Sequence, residues 1–152
     1  MKVSELMNPR VVTVGPKTPL RKVMQLMLQH KVNDIVVVDS EQRLAGIVTY
    51  SDLSRRLLPT TKELMEHEEY LRTPALMANR FLEITEVAVE EIMTRDVITV
   101  TPEEDALKAG GTLTARRLKQ LPVVQGAKVI GIISHADIGW GLMIQYGEHM
   151  RG

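Results

Sequence analysis

Two short polar motifs carry the chemistry this chain has to offer. Gly46-Ile47-Val48-Thr49-Tyr50-Ser51-Asp52-Leu53 returns as Gly131-Ile132-Ile133-Ser134-His135-Ala136-Asp137-Ile138. Each places a hydroxyl three residues before a carboxylate, at a point where an apolar run gives way to a polar start. That spacing has two readings. The first is a helix cap: the hydroxyl satisfies exposed backbone N–H groups and the acid complements the helix dipole. The second is a ligand site. A glycine in a strand interior marks the close approach of a ligand or of another backbone, and a helix N-terminus is a ready site for an anion such as phosphate. Residue types alone leave both open. Covalent and metal chemistry find less support. With no cysteine, disulfides, thiolate catalysis and Cys-ligated zinc are excluded. The four histidines are scattered, and no base and nucleophile stand at a spacing that implies a site.

The elements that must position these motifs are themselves repeated. From Val3 to Asp39 the first half aligns without gaps to Val89–Gln125: Met7 meets Met93, Val11 meets Val97, Pro16 meets Pro102 and Val38 meets Val124. Val11–Val14 is a short β-branched run, read as a strand, which Pro16 and Pro19 break. Leu20, Val23, Met24 and Met27 fall at helical spacing, so Leu20–Gln29 is an amphipathic helix. Ile35–Val38 is continuously apolar and reads as a buried strand, and Leu44–Thr49 closes a hairpin with it. A helix opens at Ser51-Asp52. The second copy repeats the order, with strand Val97–Val100, helix Ala106–Leu118, strands Leu121–Val124 and Val129–Ser134, and a helix from Ala136. The fold class is therefore α+β, two β-α-β-β-α repeats that pack on each other to finish a core. The repeats occupy residues 1–56 and 89–152, with 57–88 as an insert. Two differences stand out. Val36 becomes Pro122, and Met24-Gln25 becomes Gly110-Gly111, a pair read either as close packing or as a soft helix that responds to ligand.

In the insert, Thr60-x-x-Glu63 is a capping box for a helix over Thr61–Leu71, and Thr73-Pro74 opens a second helix to Ile84. The acids and histidine at 66–69 read as a solvated helix face rather than a metal site. Composition bounds the rest. The 152 residues are 44% hydrophobic, enough for one compact core, with 19 basic and 19 acidic side chains. That balance argues against a nucleic-acid binder, and no recognition helix with clustered Arg, Lys or Asn stands out. No apolar run approaches the roughly 18 residues of a membrane span, and the N-terminus lacks a signal-peptide core. A soluble cytoplasmic protein is the expectation.

The repeat, the openings Leu6-Met7 and Ile92-Met93, the strand Leu121-Pro122-Val123-Val124 and the two Gly-x-x-Thr/Ser-x-x-Asp motifs together resemble a tandem cystathionine-β-synthase (CBS) domain pair, or Bateman module. The resemblance covers everything except the insert. It implies a regulatory sensor without catalysis of its own. Such a module binds an adenosine-containing ligand, such as AMP, ADP, ATP or an S-adenosyl compound, in clefts between the repeats, and a regulated protein reads the result. It implies no further cofactor and a homodimer paired through helices.

By the same resemblance the Asp of each motif bonds ribose hydroxyls and the Ser or Thr contacts ribose or the first phosphate. One site would use Ser134 and Asp137, preceded by Ile132, with walls from Val12, Val32 and Asn33. The other would use Thr49 and Asp52, preceded by Ile47, with walls from Ile98, Leu118 and Lys119. Lys119-Gln120, after Arg116-Arg117, sit where the first repeat has Asn33-Asp34. The two sites share walls and Lys119 can lean toward either cleft; with its charge at the Asp137 site, a polyphosphate is expected to prefer that site. The competing reading is a structural interaction module whose motifs are caps and whose clefts stay empty.

Overall fold

The structure is a computed structural model that describes residues 1–147 and His149. In chain order it contains α1 (Val3–Leu6), β1 (Thr13–Val14), α2 (Leu20–His30), β2 (Asp34–Val38), β3 (Leu44–Thr49), α3 (Tyr50–Leu57), α4 (Thr61–Glu66), α5 (Glu69–Arg72), α6 (Pro74–Thr85), a 3₁₀ turn (Val89–Glu91), α7 (Ala106–Arg116), β4 (Gln120–Gln125), β5 (Lys128–Ser134) and α8 (His135–Gly147). Both repeats are mixed α and β, as the sequence pattern predicts. Contacts divide the chain into two compact units that do not follow sequence order. Unit 1 gathers Met1–Val11, Ser40–Leu44 and Val97–Gly152; unit 2 gathers Val12–Asp39 and Ala45–Asp96. The opening segment of each repeat, Met1–Val11 or 89–96, thus packs in the unit that holds the other repeat's helices.

Unit 2 forms around β2. β1 pairs with it in parallel, Thr13 opposite Val36 and Val14 opposite Val37, and β3 follows in the sheet order β1-β2-β3. The 3.6-residue spacing of α2 turns Leu20, Val23 and Met27 onto Ile35, Val37 and Val48, and Leu53, Val89 and Met93 complete the cluster. Fully burying one such aliphatic side chain stabilises the fold by about 1.5–3 kcal/mol. α2 ends at Lys31 in the left-handed region (φ 54), its N–H bonded to Met27 O.

Unit 1 repeats the plan with one deficit. Ala106, Ala109 and Leu113 of α7 pack with Leu121, Val123, Ile133 and Ile138, and Val3 and Val100 join them. Where a strand is expected over Val97–Val100, only a single parallel bridge forms, Val100 opposite Val123. Pro122 is the cause. In unit 2 Val36 N–H donates to Val12 O (3.4 Å), and Pro122, its counterpart, has no N–H to give. Pro122 keeps only its carbonyl, which accepts from Val100 N–H (3.1 Å).

The insert differs from expectation in two places. Thr61–Leu71 is two helices, because His67 leaves the helical region (φ −134, ψ 70). A continuous helix would set Glu66 against Glu69 one turn on, a like-charge neighbour. The break lets Glu69 accept from the His67 ring instead (3.2 Å). The capping box is present: Glu63 N–H donates to Thr60 Oγ1 (3.1 Å) and Thr60 N–H to Glu63 Oε2 (2.7 Å). Thr73 makes no side-chain cap, and Pro74 alone marks the start of α6. Arg80 of α6 ties the insert together: it reaches Glu63 Oε1, Arg56 O and Leu58 O, each at 3.4 Å, and lies over the Tyr70 ring. No helix among the described residues is long and apolar enough to cross a membrane.

Candidate functional site

Each motif sits where a strand hands over to a helix, β3 to α3 in unit 2 and β5 to α8 in unit 1. The polar groups close on themselves in the same way. Thr49 N–H and Oγ1–H donate to Asp52 Oδ2 (2.8 and 3.1 Å), and Asp52 N–H donates back to Thr49 Oγ1 (3.2 Å). Ser134 N–H and Oγ1-equivalent Oγ–H donate to Asp137 Oδ2 (2.8 and 2.9 Å), and Asp137 N–H returns to Ser134 Oγ (3.2 Å). The cap reading therefore holds in both copies. One carboxylate oxygen of each Asp is committed to it, and the question of function falls on the other.

There the copies diverge. In unit 2 Asp52 Oδ1 accepts from Arg55 Nη2 (2.9 Å), one helical turn on. At the matching place in α8 stands Trp140, and Asp137 Oδ1 has no partner among the described residues. A carboxylate oxygen has two lone pairs to satisfy, so Asp137 Oδ1 keeps more acceptor capacity than Asp52 Oδ1, which already takes the Arg55 bond.

The two motif glycines have a structural cause. A Cβ on Gly46 would stand 2.7 Å from Met93 Sδ and 2.7 Å from Thr94 O; one on Gly131 would stand 2.7 Å from Met7 Sδ and 3.2 Å from Asn8 O. Reciprocal backbone bonds fix this approach: Ile47 with Thr94 (2.9 Å each way) and Ile132 with Asn8 (2.9 and 2.8 Å). Of the two causes the sequence left open, ligand or backbone, it is the backbone that comes close. The Gly110-Gly111 pair is different. A Cβ on Gly110 would meet Ile138 at an ordinary 3.5 Å, and one on Gly111 would meet nothing within 4 Å. Close packing within the unit explains neither.

Of the residues expected at the sites, unit 1 brings Ile132, Ser134 and Asp137 together with Leu118, Lys119 and Gln120. Gln120 pairs with Ser134 across the hairpin, and His135 N–H donates to Lys119 O (3.4 Å). Ile98 belongs to the same unit and is exposed. Unit 2 brings Ile47, Thr49 and Asp52 together with Val12, Val32 and Asn33, and Tyr50 N–H donates to Asn33 O (2.7 Å). Lys119, Arg116 and Arg117 are exposed and form no ion pair among the described residues. Sequence reasoning missed Arg55. Its signal was available: an acid and an arginine three apart on a helix are neighbours. Among the described residues no group of three or more His, Asp or Glu is placed to hold a metal.

A doubled strand-to-helix motif on two mixed α and β repeats defines a two-repeat module. The chain belongs to the CBS-domain family, whose profile matches residues 3–59 and 89–138. It is 30% identical over 127 residues to CBSX3, a mitochondrial CBS-domain protein of Arabidopsis thaliana, covering 82% of this chain and 53% of that one. The crystal structure of protein MJ1225 from Methanocaldococcus jannaschii is similar with a TM-score of 0.73 at 29% identity, over 90% of this chain and 46% of that one. The CBS domain pair of protein MJ0100, solved in complex with 5′-methylthioadenosine and S-adenosyl-L-methionine, shares the fold at 22% identity and a TM-score of 0.70, over 95% and 98% of the two chains. This chain spans less than two thirds of the length of most curated relatives it matches.

Proposed function

We propose that this protein is a regulatory, non-catalytic module that binds an adenosine-containing ligand at the Ser134–Asp137 motif. The observation that carries the reading is the unspent Oδ1 of Asp137, a carboxylate oxygen at the start of a 13-residue helix. Ribose hydroxyls are suited to such an acceptor. The exposed cations Lys119, Arg116 and Arg117 supply charge for a phosphate, so AMP, ADP or ATP fits this copy. The methylthioadenosine and S-adenosylmethionine of the MJ0100 complex support the same ligand class. In the Asp52 copy, Arg55 occupies the matching oxygen and Asn33-Asp34 replace Lys119-Gln120, which favours an empty site or a neutral adenosyl group. The protein acts as a homodimer in the cytoplasm, and a regulated partner reads the bound state.

Calorimetric titration of AMP into the purified protein tests this. Binding to one site per chain is expected, and Asp137→Ala should weaken it by about 1.5–3 kcal/mol, roughly 10- to 150-fold. Equal affinity in the variant removes Asp137 from the site. A second reading, a structural module without ligand, is favoured by the completed caps. Absence of binding to AMP, ATP, adenosine and S-adenosylmethionine alike would establish it.

A further inference from the structure

The insert uses its two sides differently. Inward, Ile84 and Val87 pack against the core of unit 2, Thr85 is buried, and α6 packs on α2 and α3. Outward, the same helices put large apolar side chains in water. Met65 of α4 is 78% exposed, Leu71 of α5 74%, and Leu82 and Phe81 of α6 62 and 41%. α4 packs on α5 and α5 on α6, so these side chains belong to one run of touching helices. On α6 the stripe extends from Leu82 back through Ala78 to Ala75, all exposed and at helical spacing. Packing within unit 2 already has its own apolar residues, so the outer set is surplus to the fold. The four large side chains expose on the order of 500 Å², close to the roughly 600 Å² that one side of a transient interface buries. Methionine suits such a surface, because its flexible thioether adapts to what it meets.

Charge says what covers this face. Residues 57–88 hold six acidic and three basic side chains, in a chain whose totals balance at 19 and 19. One of the three bases, Arg80, is turned inward and spent on Glu63 and the carbonyls that end α3. Glu66, Glu68, Glu69, Glu83 and Glu86 are all exposed, and Glu83, beside Leu82, forms no ion pair among the described residues. An acidic rim of this kind disfavours a second copy of the same face, a nucleic acid and an anionic lipid surface. It attracts a partner that carries cations. The insert is built of helices alone, with no strand edge to extend, so recognition runs through side chains, as when an amphipathic helix lies in an apolar groove.

We propose that the outer face of α4–α6 docks a basic amphipathic helix of another protein. The apolar stripe of that helix lies on Met65, Leu71 and Leu82, and its lysines or arginines meet the glutamates around them. This gives the regulated partner its surface and its chemistry, and rests on the regulatory reading above for the partner's existence. The face is also joined to one motif. Arg80 of α6 holds the end of α3, and α3 begins at Thr49 and Asp52.

A labelled synthetic helix of about 18 residues, leucine at helical spacing and lysine elsewhere, is the probe. Anisotropy titration into the full chain without nucleotide should give a dissociation constant on the order of micromolar. Met65→Lys, and separately Leu82→Lys, should raise it about tenfold or more with circular dichroism unchanged. Glu83→Lys should raise it about 3- to 10-fold. Leu107→Lys, exposed on α7 in unit 1, should leave it unaltered, and the same peptide with glutamate for lysine should not bind. No binding of the lysine peptide, equal binding of the glutamate peptide, or equal weakening by Leu107→Lys overturns the proposal. A lower sedimentation mass for Leu82→Lys than for the wild type assigns the face to a second copy and overturns it too. AMP titration of the wild type separates this from the ligand reading. Peptide binding without AMP binding overturns that reading alone, and AMP binding without peptide binding overturns the docking face alone.

Discussion

Asp52 and Asp137 sit in the same bend of the same repeated unit and differ in one neighbour. Both give Oδ2 to the backbone N–H and hydroxyl three residues earlier. Asp52 then gives Oδ1 to Arg55, whereas the residue in that place after Asp137 is Trp140. One substitution thus separates two roles: the first copy is a closed cap, the second a cap with an acceptor to spare. The same exchange changes the outer face of the helix from charged to apolar. Duplication supplied two equal frames, and one helical turn assigned them different surroundings.

The frames can be broken more severely than the sites. Gly46→Ala should cost about 2–3 kcal/mol in urea unfolding, because its Cβ would press on Thr94 O, a backbone atom held in a reciprocal pair. Gly131→Ala should cost less, since Met7 can swing and Asn8 O need give only a few tenths of an ångström. Equal losses would show that the flexible thioether, not the carbonyl, sets the cost. The closed cap can be opened next. Arg55→Ala frees Asp52 Oδ1 and, because the arginine of the pair is largely exposed, should alter stability by only about 1 kcal/mol. Titration with adenosine, which has no phosphate, should then show a second site or a roughly tenfold gain at the Asp52 copy. Unchanged stoichiometry and affinity would remove Arg55 as the discriminating residue. The smallest effect concerns α7. Gly110→Ala meets Ile138 only at an ordinary contact distance, so the helix should gain about 0.5–1 kcal/mol, read as a higher unfolding midpoint. A loss instead would mean that the unit needs the glycine.

The repeat was legible because helical spacing and apolar runs recur in register: α2, β2, β3, α7, β4 and β5 lie within two residues of their expected limits. The motifs were legible as caps, and Thr60 with Glu63 likewise. The missing strand at Val97–Val100 was encoded by Pro122, but its effect falls on a neighbouring segment distant in sequence. The break at His67 depends on a contest between local like charges and a ring contact with Tyr70 that periodicity does not weigh. The grouping of Met1–Val11 with Val97–Gly152 was invisible for a similar reason. Leu6-Met7 and Ile92-Met93 read as repeat openings, and nothing local says that Met7 lies on Gly131 and Met93 on Gly46.

That exchange of opening segments also sets an order of assembly during synthesis. Every part of unit 2 has left the ribosome soon after Asp96 is made. Residues 1–11 emerge before any of it, yet their place lies against β5 and α7–α8, which are translated after it. At about 5–20 residues per second, Val3, Leu6 and Met7 stay without their contacts for on the order of ten seconds. These apolar side chains thus appear before the whole of unit 2 yet are buried after it, and a nascent chain halted near Asp96 would hold one finished half and an unpacked strap.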